Sequence, residues 1–100
     1  MAVNYEQELK GLIGEVVKNE ASDLHLAVGY HPTLRIVGNL EPATDKPLLT
    51  ADDVLGFADV VMDDYRLKLF KENLEADFSY ETEDGERFRG HIFYQKNQPG

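Results

Sequence analysis

The sequence contains no cysteine and no tryptophan. Without cysteine there is no disulfide, no thiolate metal site and no cysteine nucleophile, and a reducing compartment is permitted. No apolar run approaches the roughly 18 residues of a membrane-crossing helix. The start, MAVNYEQELK, is acidic and polar where a signal peptide is basic and then apolar. Basic residues are scarce: ten Lys and Arg stand against nineteen Asp and Glu, a net charge of −9. The whole excess falls in residues 52–86, with twelve acids against three bases. Such a surface repels phosphate backbones, so nucleic acid is not an expected partner. It serves either as a solvated helical face or as a docking surface for a basic partner.

Catalytic patterns are also missing. There is no G-x-x-x-x-G-K-[ST] phosphate loop, no G-x-G-x-x-G and no G-x-S-x-G. His25, His31 and His91 lack the short helical spacing of a metal site. The carboxylates fall on helix surfaces with no apolar pocket to tune them. By itself the chain does not read as an enzyme.

What is present is enough for one core. One hundred residues, 42% of them hydrophobic, make a single domain over 1–100. Asn4 caps a first helix, with Gln7 as a capping-box partner. Its stripe is Leu9, Leu12, Ile13, Val16 and Val17. The period then changes to two in Asp23–Val28, a half-buried strand. A second strand runs from Thr33 to Val37, with Leu34 and Ile36 on one face and Arg35 and Val37 on the other. Gly38-Asn39 is a turn signal. Residues 40–49, with Pro42 and Pro47, read as a loop or an edge strand. Thr50 caps a second helix with Asp53 at its third position; Val54, Leu55, Ala58, Val61 and Met62 form its stripe. A third helix starts at Asp63 or Asp64 and ends near Asn73, with Leu67, Phe70 and Leu74 inward.

A hairpin closes the chain, Ala76–Thr82 and Glu86–Gln95. A two-residue loop at Asp84-Gly85 would mix apolar and charged residues on each face. A three-residue loop, Glu83-Asp84-Gly85, pairs Thr82 with Glu86, Tyr80 with Phe88 and Phe78 with Gly90. It gathers Phe78, Tyr80, Phe88, Ile92 and Tyr94 on one face. A slip of one residue flips every side chain, so the pattern selects the longer loop. Gly85 then takes the left-handed position. The order α-β-β-α-α-β-β gives an α+β two-layer domain, a mostly antiparallel sheet with helices packed on it. The end at Gln98-Pro99-Gly100, directly after a strand, reads as a piece of something longer.

The sequence has four arginines, and two of them, Arg87 and Arg89, share one outward strand face. Arg35 lies on the solvent side of its own strand. Guanidinium suits bidentate recognition of phosphate or carboxylate. Two readings stand: a strand-borne cluster for an oxyanion, or a cross-strand ion pair of Arg87 with Glu81, worth about 0.2–1 kcal/mol. His25, beside Asp23, reads as a satisfied structural histidine.

Three segments taken together resemble a known family. Ala21-Ser22-Asp23-Leu24-His25-Leu26 is similar to the A-S-D-[IL]-H-[IL] motif of the secretion and type IV pilus ATPases. Residues 31–38, with Pro32, Arg35 and Gly38, are similar to its P-x-x-R-x-x-G stretch. Residues 70–95, with Leu74-Glu75-Ala76-Asp77-Phe78-Ser79-Tyr80, Arg87-Phe88-Arg89 and Phe93-Tyr94-Gln95, resemble its L-E-x-D-F-S-[FY] … R-F-R-x-N-x-F-x-Q block. The likeness spans nearly the whole chain, and the order is that of the retraction ATPases of twitching motility. Where the family usually has Asn, this chain has His91, and Gly90 replaces a common β-branched residue.

The resemblance implies a PAS-like N-terminal domain, joined in the family to a RecA-like ATPase domain and assembled as a homo-hexamer. ATP lies between the two domains, and the R-F-R arginines reach its phosphates on closure. That role carries over to Arg87 and Arg89, and the P-x-x-R arginine to Arg35. Asp23 and His25 are assigned to structure or domain packing. The phosphate loop, the acids that hold Mg2+ and the water-activating glutamate would lie beyond Gly100, so this chain alone should neither hydrolyse ATP nor hold it strongly. Implied partners are the RecA-like domains of its own and neighbouring subunits and the pilus platform protein of the inner membrane. The implied location is cytoplasmic, peripheral at that membrane. The alternative is a free-standing PAS-like module that binds a ligand or a protein.

Overall fold

In the computed structural model, which describes residues 4–81, 85 and 87–94, each helix starts where a side chain satisfies an otherwise unpaired backbone N–H. Asn4 accepts from the Gln7 N–H at 3.1 Å and opens α1 (Tyr5–Lys18). Thr50 opens α2 (Ala51–Val61) with a full capping box: its hydroxyl accepts from the Asp53 N–H, and Asp53 accepts from the Thr50 N–H. Asp63 opens α3 (Asp64–Asn73).

Five strands follow the period-two segments: β1 (Asp23–Ala27), β2 (Thr33–Ile36), β3 (Asn39–Pro42), β4 (Glu75–Glu81) and β5 (Arg87–Phe93). Their order across the sheet is β3-β2-β1-β5-β4. Three pairings are antiparallel; β1 and β5 run parallel. This α+β arrangement with a mostly antiparallel sheet is the expected one. The segment near 40 resolves as an edge strand. Tyr80 pairs with Phe88 and Phe78 with Gly90, as the alternation requires. Gly85 is left-handed, with φ at +86°. The proposed pairing of Thr82 with Glu86 and the loop residues Glu83 and Asp84 lie outside the described residues.

Leu24, Leu26, Leu34, Phe78, Phe88 and Ile92 point to one side of the sheet and are buried against the helices. From the helices come Leu9, Leu12, Val16, Val54, Phe57 and Phe70. Each fully buried side chain of this size contributes about 1.5–3 kcal/mol of transfer free energy.

Several expectations shift. Val17, expected in the α1 stripe, is 39% exposed, because it sits at the margin of the stripe. Phe57 is buried in α2, although the sequence stripe left it out. Leu74 does not pack inward. It is the left-handed C-cap of α3, φ +67°, and this backbone turn carries its side chain toward solvent. The β2–β3 turn is centred on Val37-Gly38, one residue earlier than Gly38-Asn39. Both residues have positive φ, +49° and +81°. This is the backbone hand that a two-residue hairpin needs to match strand twist. Val37 therefore leaves the strand face, and Asn39 opens β3 opposite Ile36.

Candidate functional site

The sheet register places two polar rows on the face away from the helices. One row runs Ser79–Arg89–Asp23–Arg35 across β4, β5, β1 and β2. The other runs Asp77–His91–His25–Thr33. The period-two alternation already separates these residues from the core; only the parallel β1–β5 pairing brings the two halves together.

Asp23 is the centre. It is buried, and the Ser22 hydroxyl donates to its Oδ2 at 2.8 Å. Arg35 Nε lies 3.4 Å from Oδ2, and Arg89 Nε lies 3.4 Å from Oδ1. His91 Nε2 is 3.7 Å from Oδ1. Both arginines keep solvent contact, with side-chain exposures of 40% and 67%. Arg35 Nη1 also donates to the Gly38 carbonyl at 3.3 Å, which ties it to the β2–β3 turn.

Arg87 is on the same face but apart from this centre. Its Nε donates to Glu81 at 2.8 Å, the cross-strand ion pair foreseen from the register. Both side chains are open to solvent, so the pair is screened. A surface depression of about 580 Å³ lies beside Ser22, Ser79, Glu81, Arg87 and Arg89.

His25 departs from the satisfied histidine of the sequence reading. Its Nε2 is buried and meets no hydrogen-bond partner among the described residues. Its ring stacks on His91, centroids 4.8 Å apart and 14° from parallel. Burial lowers its pKa, and the charge of His91 pushes the same way. His91 is held from the other side by Asp77, which meets its Nδ1. The glycine that precedes it has a steric reason: a Cβ on Gly90 would stand 2.1 Å from the Phe78 ring. Phe78 closes the core over that bare backbone.

All three sequence-derived arginines are thus on one face that none of the described helices covers, and two of them converge. What the sequence reading missed is that Asp23 serves both. Its signal was present in the Ser22-Asp23 pair, but the strand that would lie beside it was not readable. Chemically, the face offers cationic N–H donors to an anion such as phosphate. Among the described residues no group of three or more His, Asp or Glu is placed to hold a metal ion. Nor is any described helix long and apolar enough to cross a membrane.

No protein-family model matches the chain. Individual proteins do. It is 33% identical over 96 residues to the type IV pilus ATPase PilU of Pseudomonas aeruginosa. It is 34% identical over 93 residues to the type IV pilus retraction ATPase PilT of the same organism. Each match covers 93% of this chain but only 24% and 27% of the relative. The crystal structure of the pilus retraction motor PilT with bound ADP superposes with a TM-score of 0.65 at 36% identity, over 85% of this chain and 25% of that one. The chain is therefore homologous to one domain of the type IV pilus ATPases. Over that quarter of their length, its α+β fold is that of the N-terminal domain of PilT.

Proposed function

We propose that the chain acts as the N-terminal module of a pilus retraction ATPase, closing its arginine face on ATP held by a RecA-like domain. The convergence of Arg35 and Arg89 on a sheet face that none of the described helices covers supports this reading most strongly. Phosphoryl transfer spreads negative charge over the γ-phosphate oxygens, and catalysis there is largely positioning and charge stabilisation. Guanidinium groups on a separate domain supply that charge only when the domains close, which couples turnover to motion. In this reading ATP and Mg2+ belong to the ATPase domain, and the module packs against its own and neighbouring subunits in a ring that pulls on the pilus platform protein. The acidic helices α2 and α3 face away from the nucleotide.

The encoding reading frame tests this directly. A G-x-x-x-x-G-K-[ST] sequence within a few dozen residues after Gly100, and ATP hydrolysis by that longer product, is the expected result. A reading frame that continues into a different effector domain, or a longer product that does not hydrolyse ATP, overturns it.

A further inference from the structure

We propose that Asp23 is a positioning residue: it aligns Arg35 and Arg89 so that the two guanidinium groups grip one phosphate-bearing anion as a unit. The proposal rests on the reading that this face meets nucleotide phosphates. Arg35 and Arg89 flank Asp23 on the two neighbouring strands. Strands lie about 4.7–4.9 Å apart, so the two arginine backbones are roughly 10 Å apart. Long, solvent-exposed side chains at that spacing would sample many rotamers independently unless a shared partner held them. Asp23 does so with one oxygen each, at 3.4 Å from either Nε. Its own rotation is blocked, because the side chain is 8% exposed and the Ser22 hydroxyl holds Oδ2.

The atoms used matter. A guanidinium has five N–H donors in a planar fork. Here Asp23 meets the Nε edge; Arg35 Nη1 is engaged by the Gly38 carbonyl, and Arg35 Nη2 with both Nη groups of Arg89 face outward for another acceptor. Around Asp23 itself two arginines share one carboxylate, while the other acids of this face are engaged elsewhere, Glu81 by Arg87 and Asp77 by His91. Arginine faces Asp23 with one edge of a rigid planar fork and a ligand with the others, so the first contact sets the direction of the second; a lysine ammonium has three donors on one atom and transmits no such alignment. If Asp23 were merely a counter-ion, each arginine would act on the anion independently.

The test is a double-mutant cycle on this chain, with inorganic tripolyphosphate as the probe and calorimetry or NMR titration as the readout. Arg35→Ala, Arg89→Ala and the double variant are compared in the native and Asp23→Asn backgrounds. In the native background each single change should remove most of the affinity, so that the double loss falls short of the product of the single losses by about fivefold or more. In the Asp23→Asn background the losses should multiply to within about twofold. Equal coupling in both backgrounds, or independent losses in the native one, overturns the proposal while leaving the phosphate reading intact. Binding that neither arginine affects overturns both. Should Asp23→Asn not fold, Arg35→Lys and Arg89→Lys decide the matter with Asp23 in place: each should behave as its alanine variant, and retention of native coupling by lysine overturns the proposal.

Discussion

The Nε of Arg89 lies 3.4 Å from the Oδ1 of Asp23, across the parallel pairing of β5 with β1. That pairing joins the N-terminal meander β1–β3 to the C-terminal hairpin β4–β5. The arginine face therefore forms only when the whole sheet forms. Arg35 comes from the first unit and Arg89 from the second, and neither hairpin alone contains the pair.

Val37 sits at φ +49° and is 92% exposed at the β2–β3 turn. A β-branched residue in the left-handed region is strained, whereas Asn tolerates it. Val37→Asn should raise stability by about 1 kcal/mol, since strain of this kind costs on the order of 1–3 kcal/mol. Chemical denaturation of the two chains measures it. A variant less stable than the native chain would show that Val37 makes a contact worth more than its strain.

Alternation was enough to place Arg35, Arg87 and Arg89 away from the core, and the same alternation selected the β4–β5 register. Both are local patterns. The sharing of Asp23 was not readable, because β1 and β5 are separated by two helices and three other strands. Nothing in the period of either strand names its neighbour. Val37 and Leu74 failed for a related reason. Val37 continues the alternation of β2 and Leu74 the stripe of α3, yet each takes a left-handed backbone at the end of its element, where turn geometry outranks periodicity.

Gly90→Ala should destabilise the domain by about 1–3 kcal/mol, the usual cost of overpacking. The added Cβ meets Phe78, which is 8% exposed and has core neighbours behind it. The double variant Gly90→Ala with Phe78→Leu should recover part of the loss. Thermal melting of the three chains checks this; no loss in the single variant would mean that the ring moves aside freely.

His25 gives the fold a dependence on mild acid. Its folded pKa is below the ordinary value near 6.5, through burial first and the neighbouring His91 charge second; Arg35 acts in the same direction, and Asp23 and Asp77 oppose it. A depressed histidine binds fewer protons folded than unfolded, so stability is full above about 6.5 and falls as pH drops below it. His25→Phe keeps a ring against His91 and removes both the titration and the unpartnered Nε2. Between pH 7 and pH 5 its melting temperature should fall less than that of the native chain. Parallel curves would assign the acid response to other groups.

The Tyr5 hydroxyl donates to Asp53 Oδ1 at 2.9 Å, and so clips the start of α1 to the cap of α2. Burial, reinforced by this bond and the Asp53 charge, pushes Tyr5 up to about 12. Burial alone would raise Asp53. The hydrogen bonds from the Thr50 N–H, the Tyr5 hydroxyl and the Thr50 hydroxyl outweigh it, so its pKa is lowered. The two signs differ. The Asp53 contribution is present above the usual carboxylate range near 3.8 and is lost as pH falls through its lowered value. The Tyr5 contribution is present below 10 and is lost as pH rises toward 12. Tyr5→Phe should cost about 1 kcal/mol at neutral pH and flatten both limbs of the stability profile. Unchanged limbs would show that the clip does not persist in solution.

Arg89 and Arg87 separate function from stability in a longer ATPase that carries this chain. Arg89→Ala should lower ATP turnover by about 10–1,000-fold, because a guanidinium aimed at developing phosphate charge acts only in the closed state. Its effect on folding should stay within about 1 kcal/mol, since Asp23 keeps Arg35 and Ser22 and the Arg89 side chain is 67% exposed. Arg89→Lys should rescue poorly, as it keeps the charge and loses the fork. Arg87→Ala should lower turnover similarly and also lose the Glu81 pair, about 0.2–1 kcal/mol at such exposed positions. Glu81→Ala removes the same pair from the other side, so it should reproduce that small stability loss while turnover stays near normal. Steady-state hydrolysis and melting temperature for the four variants separate the effects. If Arg89→Ala hydrolyses ATP at the native rate, or if its loss of rate tracks unfolding of this domain, the arginine face is structural and the ion pairs on it are its whole role.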